Sequence, residues 1–292
     1  MKKLLLGSLL TVTYVFADVA TVLPYSGIIE YGNDTTKSAK DRAELWGIYT
    51  SVGNLGYLFE VNYSHIHTRY NNTDIEALSQ DDITIAYGKY FSNFMFKLGI
   101  HYINTNDKQL DNGFIVISQI GGYRYIDKNK FNYGLEVYYS HYNDGHNESY
   151  EQTGVNIYQI TPYFSYHKFI HSELSNTVTL KANLQIANDY LDDTYSSFEL
   201  SDTVTYKNFF TTFKGYTGEM RTGIKDGGMT VYNTLDLMKH GFDIKLGYYI
   251  NRQTTIAVNY GQNTYREFDE TFSTIIRDNT NWVAVATLSY TF

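Results

Sequence analysis

The sequence predicts an all-β chain that forms a transmembrane antiparallel up-and-down β-barrel of about 14 strands. Apolar and polar residues alternate along most of the 292 residues, only two prolines are present, and 17% of the residues are aromatic. Alternation turns successive side chains to opposite faces of a strand, and a membrane barrel needs an apolar band only on every second residue. The mean hydropathy of −0.35 fits such a chain, since no apolar run after residue 17 could span a bilayer as a helix.

The last twelve residues show the alternation without a break. Even positions from Trp282 to Phe292 carry Trp, Ala, Ala, Leu, Tyr and Phe, whereas odd positions from Val283 to Thr291 are smaller and mostly polar. We expect the even positions to face lipid and the odd positions to face a lumen. A soluble β-sandwich could also end on such a strand, so the choice between these two fold classes depends on the rest of the chain.

Strand length favours the membrane barrel over the sandwich. Several alternating stretches run for about 10 to 14 residues, whereas soluble strands average five or six and a tilted membrane strand needs about 9 to 11. The polar faces carry Gly, Ser, Thr, Asn and charged residues throughout. A closed barrel would also satisfy every backbone group within lipid, which an open sheet could not do.

Residues 1–17 are typical of a secretory signal peptide. Lys2 and Lys3 precede an apolar run over residues 4–12, and Val15-Phe16-Ala17 provides small residues at the expected cleavage site. Cleavage there would change the formal charge from −8 to −10, and an acidic chain does not favour nucleic-acid binding. We therefore expect two parts, a signal peptide (1–17) and a barrel domain (18–292). The absence of cysteine excludes a disulfide framework.

The strand count follows from connections that alternate between short turns and longer polar loops, as in outer-membrane barrels. A first strand at 25–31 and a last strand ending at Phe292 give 14 strands with consistent phase. The apolar phase reverses between Leu235 and Phe242, which indicates a β-bulge or a tight turn, so 12 or 16 strands remain alternatives. The predicted short connections are 53–54, 91–93, 127–130, 170–175, the region of Asn208 and 251–253; the long ones are 33–42, 71–80, 104–112, 143–153, 188–194 and 269–280.

The polar phase identifies candidate lumen-lining residues. They include five basic residues, four acids and two histidines, so they predict no strong preference for one sign of charge. Pairing of opposite charges between neighbouring strands is an equally good interpretation. The strand from Phe114 to Ile126 is apolar on both faces, which leaves its phase open. The candidates are Glu60, Lys97, His101, Arg124, Glu136, His167, Lys181, Glu199, Lys207, Asp243 and Lys245.

Barrel size allows a pore. Fourteen tilted strands give a backbone diameter of roughly 25–30 Å, of which side chains would leave about half. Only about seven residues separate the predicted cleavage site from the predicted first strand, so we expect no plug domain. A loop folded into the lumen would narrow the pore, and polarity alone does not reveal one.

Catalytic and metal-binding patterns are weak. Asp81-Asp82, Asp192-Asp193, His141 and His146 lie near predicted outer strand ends, but they show no recognisable Ser–His or Asp–His pattern of a barrel hydrolase. His65 and His67 share a strand face without a third ligand nearby. We therefore predict neither catalysis, nor a metal site, nor a cofactor.

The terminal Phe292, with Tyr290 and Leu288 before it, resembles the C-terminal assembly signal of bacterial outer-membrane β-barrels, and the whole mature chain resembles that superfamily, in particular its porin-like members of medium size. This resemblance implies the outer membrane of a Gram-negative bacterium, with outer-membrane lipids, lipopolysaccharide and the barrel assembly machinery as partners. Our leading hypothesis is a channel for passive diffusion of small hydrophilic solutes or ions. The alternatives are an occluded structural or adhesive surface barrel and, third, an outer-membrane hydrolase.

Overall fold

The computed structural model describes residues 19–32, 39–107, 110–143, 154–188, 194–231, 236–269 and 274–292. The predicted signal peptide therefore lies outside the described residues. In chain order the elements are β1 Val19–Tyr31, β2 Lys40–Gly53, β3 Tyr57–Tyr70, β4 Leu78–Phe91, β5 Phe94–Thr105, β6 Phe114–Ile126, β7 Asn129–Tyr142, β8 Val155–His171, β9 Leu174–Ala187, β10 Thr194–Tyr206, β11 Phe209–Arg221, β12 Ile224–Lys225, the 3₁₀ turn η1 Asp226–Gly228, β13 Thr230–Val231, β14 Leu237–Tyr249, β15 Thr254–Asp269 and β16 Thr274–Thr291.

Fourteen of these strands close into one antiparallel barrel, which confirms the predicted fold class and strand number. Each barrel strand pairs with its neighbours along the chain, except that β11 pairs directly with β14. The barrel closes where β1 pairs with β16, for example Gly27 opposite Val285. β12 and β13 form a separate small hairpin between β11 and β14.

A β-bulge explains the reversal of apolar phase before Phe242. The pairing of β14 with β15 shifts between Met238 and His240, and the pairing of β11 with β14 shifts between Thr217 and Met220. A bulge inserts one residue into one strand, so side chains beyond it change face while the strand continues. Of the two interpretations, the bulge is correct, and it leaves the number of strands unchanged.

Several predicted boundaries were wrong. β1 begins at Val19 and includes Pro24, whereas the sequence predicted a start at residue 25. β16 begins at Thr274, inside the predicted loop 269–280, and β2 and β4 begin at Lys40 and Leu78, inside the predicted loops 33–42 and 71–80. A polar stretch indicates a loop only within the lipid-contacting part of the barrel. A strand that continues beyond the lipid carries polar side chains on both faces and therefore looks like a loop in the sequence.

The outer face of the barrel is a belt of exposed apolar and aromatic side chains. Leu246, Phe198 and Leu184 are each more than half exposed, and they alternate with inward residues of the same strands. Such a surface would be costly in water and is stable in hydrocarbon. No helix in the described ranges is long and apolar enough to cross a membrane. The buried residues lie inside the barrel, toward one end.

The C-terminal residue takes part in closing the barrel. The Phe292 N–H donates to the Ala20 carbonyl at 2.8 Å, and the rings of Tyr290 and Phe292 lie 4.7 Å apart. We expect deletion of Phe292, or its replacement by Ser, to reduce the amount of barrel in the outer membrane, as measured by immunoblot of membrane fractions. Ile250→Ser, at an equally exposed residue near a short turn, is the control. Unchanged insertion without Phe292 would show that this residue does not carry an assembly signal.

Candidate functional site

The inner face of the barrel is divided into two halves. Toward the end that carries the long connections, inner side chains are buried, for example Gln185 on β9 and Ser197 on β10. Toward the end with the short turns, inner residues such as Thr177, Thr179 and Thr203 are partly exposed. Long loops mark the extracellular end of an outer-membrane barrel. The lumen is therefore filled in its extracellular half and open as a hydroxyl-lined vestibule in its periplasmic half.

The filling comes from the connection between β11 and β14. Its residues 222–231, here called the inward segment, turn into the lumen, and Thr222, Ile224 and Lys225 are buried there. At the tip, a Cβ on Gly227 would lie 3.2 Å from Lys97 Nζ on β5. Because β5 lies six places from β11 around the 14-strand ring, the inward segment crosses nearly the full width of the lumen.

The tip of the inward segment requires glycine at one position in particular. A Cβ on Gly228 would lie 2.3 Å from Ile117 Cδ1 on the facing wall, and the φ of Gly228 is +89°. Both the positive φ and the close approach exclude a larger residue without displacement of the segment. The Asp226-Gly227-Gly228 turn thereby places backbone, rather than side chains, against the wall.

Two wall glutamines bond to the backbone of the loop. Gln159 on β8 donates to the Ile224 carbonyl at 2.8 Å and accepts from the Ile224 N–H at 3.2 Å. Gln185 on β9 does the same with Arg221, at 3.0 Å and 2.9 Å. Each side-chain amide therefore bonds to both backbone groups of one residue, Arg221 at the end of β11 or Ile224 in the inward segment, as a neighbouring strand would.

Apolar contact also holds the same segment, through Ile224 and the partly buried Val231. Ile224 packs in a buried cluster with Ile115, Ile117 and Tyr138 of β6 and β7. The end of the connection is held separately, because Asp236 forms an ion pair with Lys40 on β2, whose ammonium also lies 5.7 Å from the centre of the Tyr265 ring.

A cluster of charges surrounds the hairpin. Lys225 lies 3.4 Å from Glu199 on β10 and 3.7 Å from the centre of the Tyr216 ring, and burial lowers the pKa of Lys225 to about 8 although Glu199 opposes the shift. Asp226 lies 3.3 Å from Lys214. The surrounding barrel would raise the pKa of Asp226, but Lys214 and Lys181 outweigh it and hold that pKa well below its usual range.

Two ion pairs brace the wall across an intervening strand. Lys97 on β5 reaches Glu60 on β3 at 2.6 Å, above Ala86 and Gly88 of β4, whose small size leaves room. Lys181 on β9 likewise reaches Glu136 on β7 at 3.1 Å. The acids accept further bonds from Tyr49 and Tyr138, at 2.8 Å and 2.6 Å.

The structure places most of the candidate lumen residues on the inner face. Five of them join the ion pairs described above, His101 bonds to Thr84, and His167 bonds to Thr177. The inner-face candidates are Glu60, Lys97, His101, Glu136, His167, Lys181, Glu199, Asp243 and Lys245. The geometry brings Glu199 together with the inward segment, and it brings Lys97 to the segment's tip.

Two candidates lie elsewhere. Arg124 is on the outer face, opposite Phe131. The prediction was wrong because β6 is apolar on both faces, so its composition does not reveal which face is inward. Lys207 lies in the β10–β11 turn with φ of +54°, exposed and 3.7 Å from Glu173. A turn residue that extends the alternation by one position cannot be distinguished from a strand residue by polarity.

Sequence patterns did not identify the residues that form the inward segment or those that bond to it. Gln159 and Gln185 are uncharged, and the connection between β11 and β14 was not recognised as a loop. Two signals could have indicated it, the Asp-Gly-Gly turn at 226–228 and the phase reversal that follows. Neither signal reveals that the connection folds inward.

Catalytic geometry is incomplete on the outer wall. His65 Nδ1 lies 3.0 Å from Asp81, which also accepts from Tyr63, so an Asp–His pair of the kind that a hydrolase needs is present. Trp46 lies against the imidazole at 5.5 Å, and no hydroxyl among the described residues bonds to it. Asp82 points to the lumen, His141 bonds to Asn156, and residues 146, 192 and 193 lie outside the described residues. In the described part of the chain, no three His, Asp or Glu side chains could hold a metal ion.

Solved structures with the same fold include channels and transporters. The "CymD monoaromatic hydrocarbon channel" matches with a TM-score of 0.53 and 5% sequence identity over 95% of this chain and 89% of the other. The toluene transporter TodX of Pseudomonas putida gives 0.51 and 7% over 96% and 91%. TbuX, the toluene transporter of Ralstonia pickettii, gives 0.53 and 7% over 96% and 90%. No protein-family model and no curated protein matches the sequence.

The class of the protein follows from these observations. A closed 14-strand barrel, an apolar outer belt and neighbours of the same architecture define a bacterial outer-membrane β-barrel. Barrels of this architecture lie in the outer membranes of Gram-negative bacteria. Sequence identities of 5–7% establish the fold alone, so the substrates of the neighbours are not transferred with it.

Proposed function

We propose that this protein is an outer-membrane channel for small solutes, open to the periplasm and narrowed at the extracellular side by the inward segment. The observation that carries the proposal is the crossing of the lumen by residues 222–231, above a partly exposed polar vestibule. A barrel with a purely structural role has no need of a polar vestibule beneath a polar, bonded loop. The proposal keeps the passive channel expected from the sequence and adds the narrowing loop that polarity alone could not reveal.

The lining favours hydrophilic solutes. Thr179 bonds to Ser165 and Thr203 to Thr212, so neighbouring strands of the vestibule present hydroxyl groups. Above them, the route meets lysine and carboxylate groups in balanced pairs. An apolar solute would gain little from such a surface, whereas a small polar solute can exchange hydrogen bonds with it. The names of the structural neighbours supply the competing solute class, monoaromatic hydrocarbons.

Planar-bilayer recording of the purified protein tests the channel. We expect small, intermittent conductance steps, well below those of an empty lumen of this size, because the inward segment obstructs the route. Protein-loaded liposomes should swell faster in a small sugar than in a disaccharide. Heat-denatured protein is the control. Complete absence of conductance steps would contradict the channel and favour an occluded structural barrel, and uptake of toluene without uptake of sugar would reverse the solute class.

A further inference from the structure

We infer that Gln159 and Gln185 form a releasable latch that holds the inward segment across the lumen. The consequence for transport rests on the proposed channel function, whereas the latch itself rests on side-chain contacts. Its parts are two neighbouring wall residues on β8 and β9 and two backbone positions, Arg221 at the end of β11, where the inward segment begins, and Ile224 within that segment.

The two amides act as one unit. Gln185 donates to Gln159 Oε1 at 2.9 Å as well as to the Arg221 carbonyl. Gln159 donates to Thr161 Oγ1 at 3.1 Å as well as to the Ile224 carbonyl. Both N–H groups of each amide are used, and the two oxygens accept from the backbone N–H groups of Arg221 and Ile224. A buried polar group that loses its partner is costly, so removal of either glutamine weakens the attachment of the loop and of the other glutamine.

The contacts are of a kind that can open and close. Most of them are hydrogen bonds and ion pairs, which water from the vestibule can replace, and Ile224 is the main apolar anchor. The segment also carries its own hairpin pairing, Ile224 with Val231 and Lys225 with Thr230, so it can leave the wall as a folded unit. A permanent plug would be expected to bury a larger apolar surface against the wall.

The matched variants are Gln159→Met with Gln185→Met for the latch and Gln80→Met for the control. Met keeps the length of Gln and removes its hydrogen-bonding groups. Gln80 is equally buried on the inner face of β4 and bonds to Asp82 rather than to the loop. We expect the latch variant to raise the open-to-closed ratio of the conductance about tenfold, the equivalent of losing one to two net hydrogen bonds. The control should match the wild type.

A second measurement does not depend on conductance. The chain contains no cysteine, and Ile224 is buried, so Ile224→Cys introduces a single thiol that is protected while the segment is attached. Labelling by a membrane-impermeant maleimide should be about tenfold faster in the latch variant than in the Gln80→Met background. Faster labelling without conductance would support the latch and contradict the channel. Equal labelling rates in both backgrounds, with both proteins folded, would overturn the latch whatever the conductance.

Discussion

Replacement of residues 223–231 by a short Gly-Ser linker should convert the barrel into a continuously open pore with severalfold higher conductance. The lumen of a 14-strand barrel has a backbone diameter of roughly 25–30 Å, and the inward segment crosses most of it. Its removal frees the space above the vestibule and leaves every barrel strand paired as before, since β12 and β13 pair only with each other. The measurement is single-channel conductance in planar bilayers, together with the size limit for sugars in liposome swelling.

The control for this deletion is the same linker in place of residues 72–76, an exposed connection between β3 and β4. This variant should conduct like the wild type, because the connection stays outside the lumen. A deletion of residues 223–231 that leaves conductance and size limit unchanged would show that the obstruction lies elsewhere, for example in the cluster that joins Leu237 to Tyr142 and Ile157. That result would remove the role given to the inward segment.

Sequence patterns predicted the barrel because the constraint acts at every second residue. Lipid contact requires apolar side chains on one face of each strand, and the same demand recurs along β9 and β16 until phase and strand number are determined. Where that demand weakens, prediction weakens too. Arg124 was misplaced because both faces of β6 are apolar, and the start of β16 was missed because it lies beyond the apolar belt.

The inward segment could not be predicted for a different reason. Its position depends on contacts between residues far apart in the chain, such as Gln159 with Ile224 and Lys97 with the tip at Gly227. A loop that lies in solvent and a loop that fills a polar lumen have similar compositions, since both satisfy their backbone with polar partners. Periodicity reports the face of a strand but not the direction of a connection. The candidate charges were therefore found, whereas the structure that organises them was not.

Loss of one partner of the buried Lys97–Glu60 ion pair should strongly lower the stability of the barrel. Both side chains are buried, at 7% and 9% relative exposure, and their atoms lie 2.6 Å apart. Glu60→Ala would leave the Lys97 ammonium beside the tip of the inward segment without that carboxylate, and breaking a buried pair costs about 3–5 kcal/mol. The measurement is the urea midpoint of the folded barrel in detergent, followed by its heat-modifiable mobility on gels.

A double variant distinguishes the cost of an unpaired buried charge from the cost of lost packing contacts. Glu60→Leu combined with Lys97→Leu removes both charges and keeps apolar volume, so its stability should lie closer to the wild type than that of Glu60→Ala. Glu173→Ala removes a carboxylate of an exposed pair with Lys207 and should cost at most about 1 kcal/mol. If the double variant proved as unstable as Glu60→Ala, the cost would come from lost packing across β4. If the stability of the double variant were close to that of the wild type, the pair would act by neutralising a charge inside the lumen. The uncompensated Lys97 in Glu60→Ala should then also shift the ion preference of the channel toward anions.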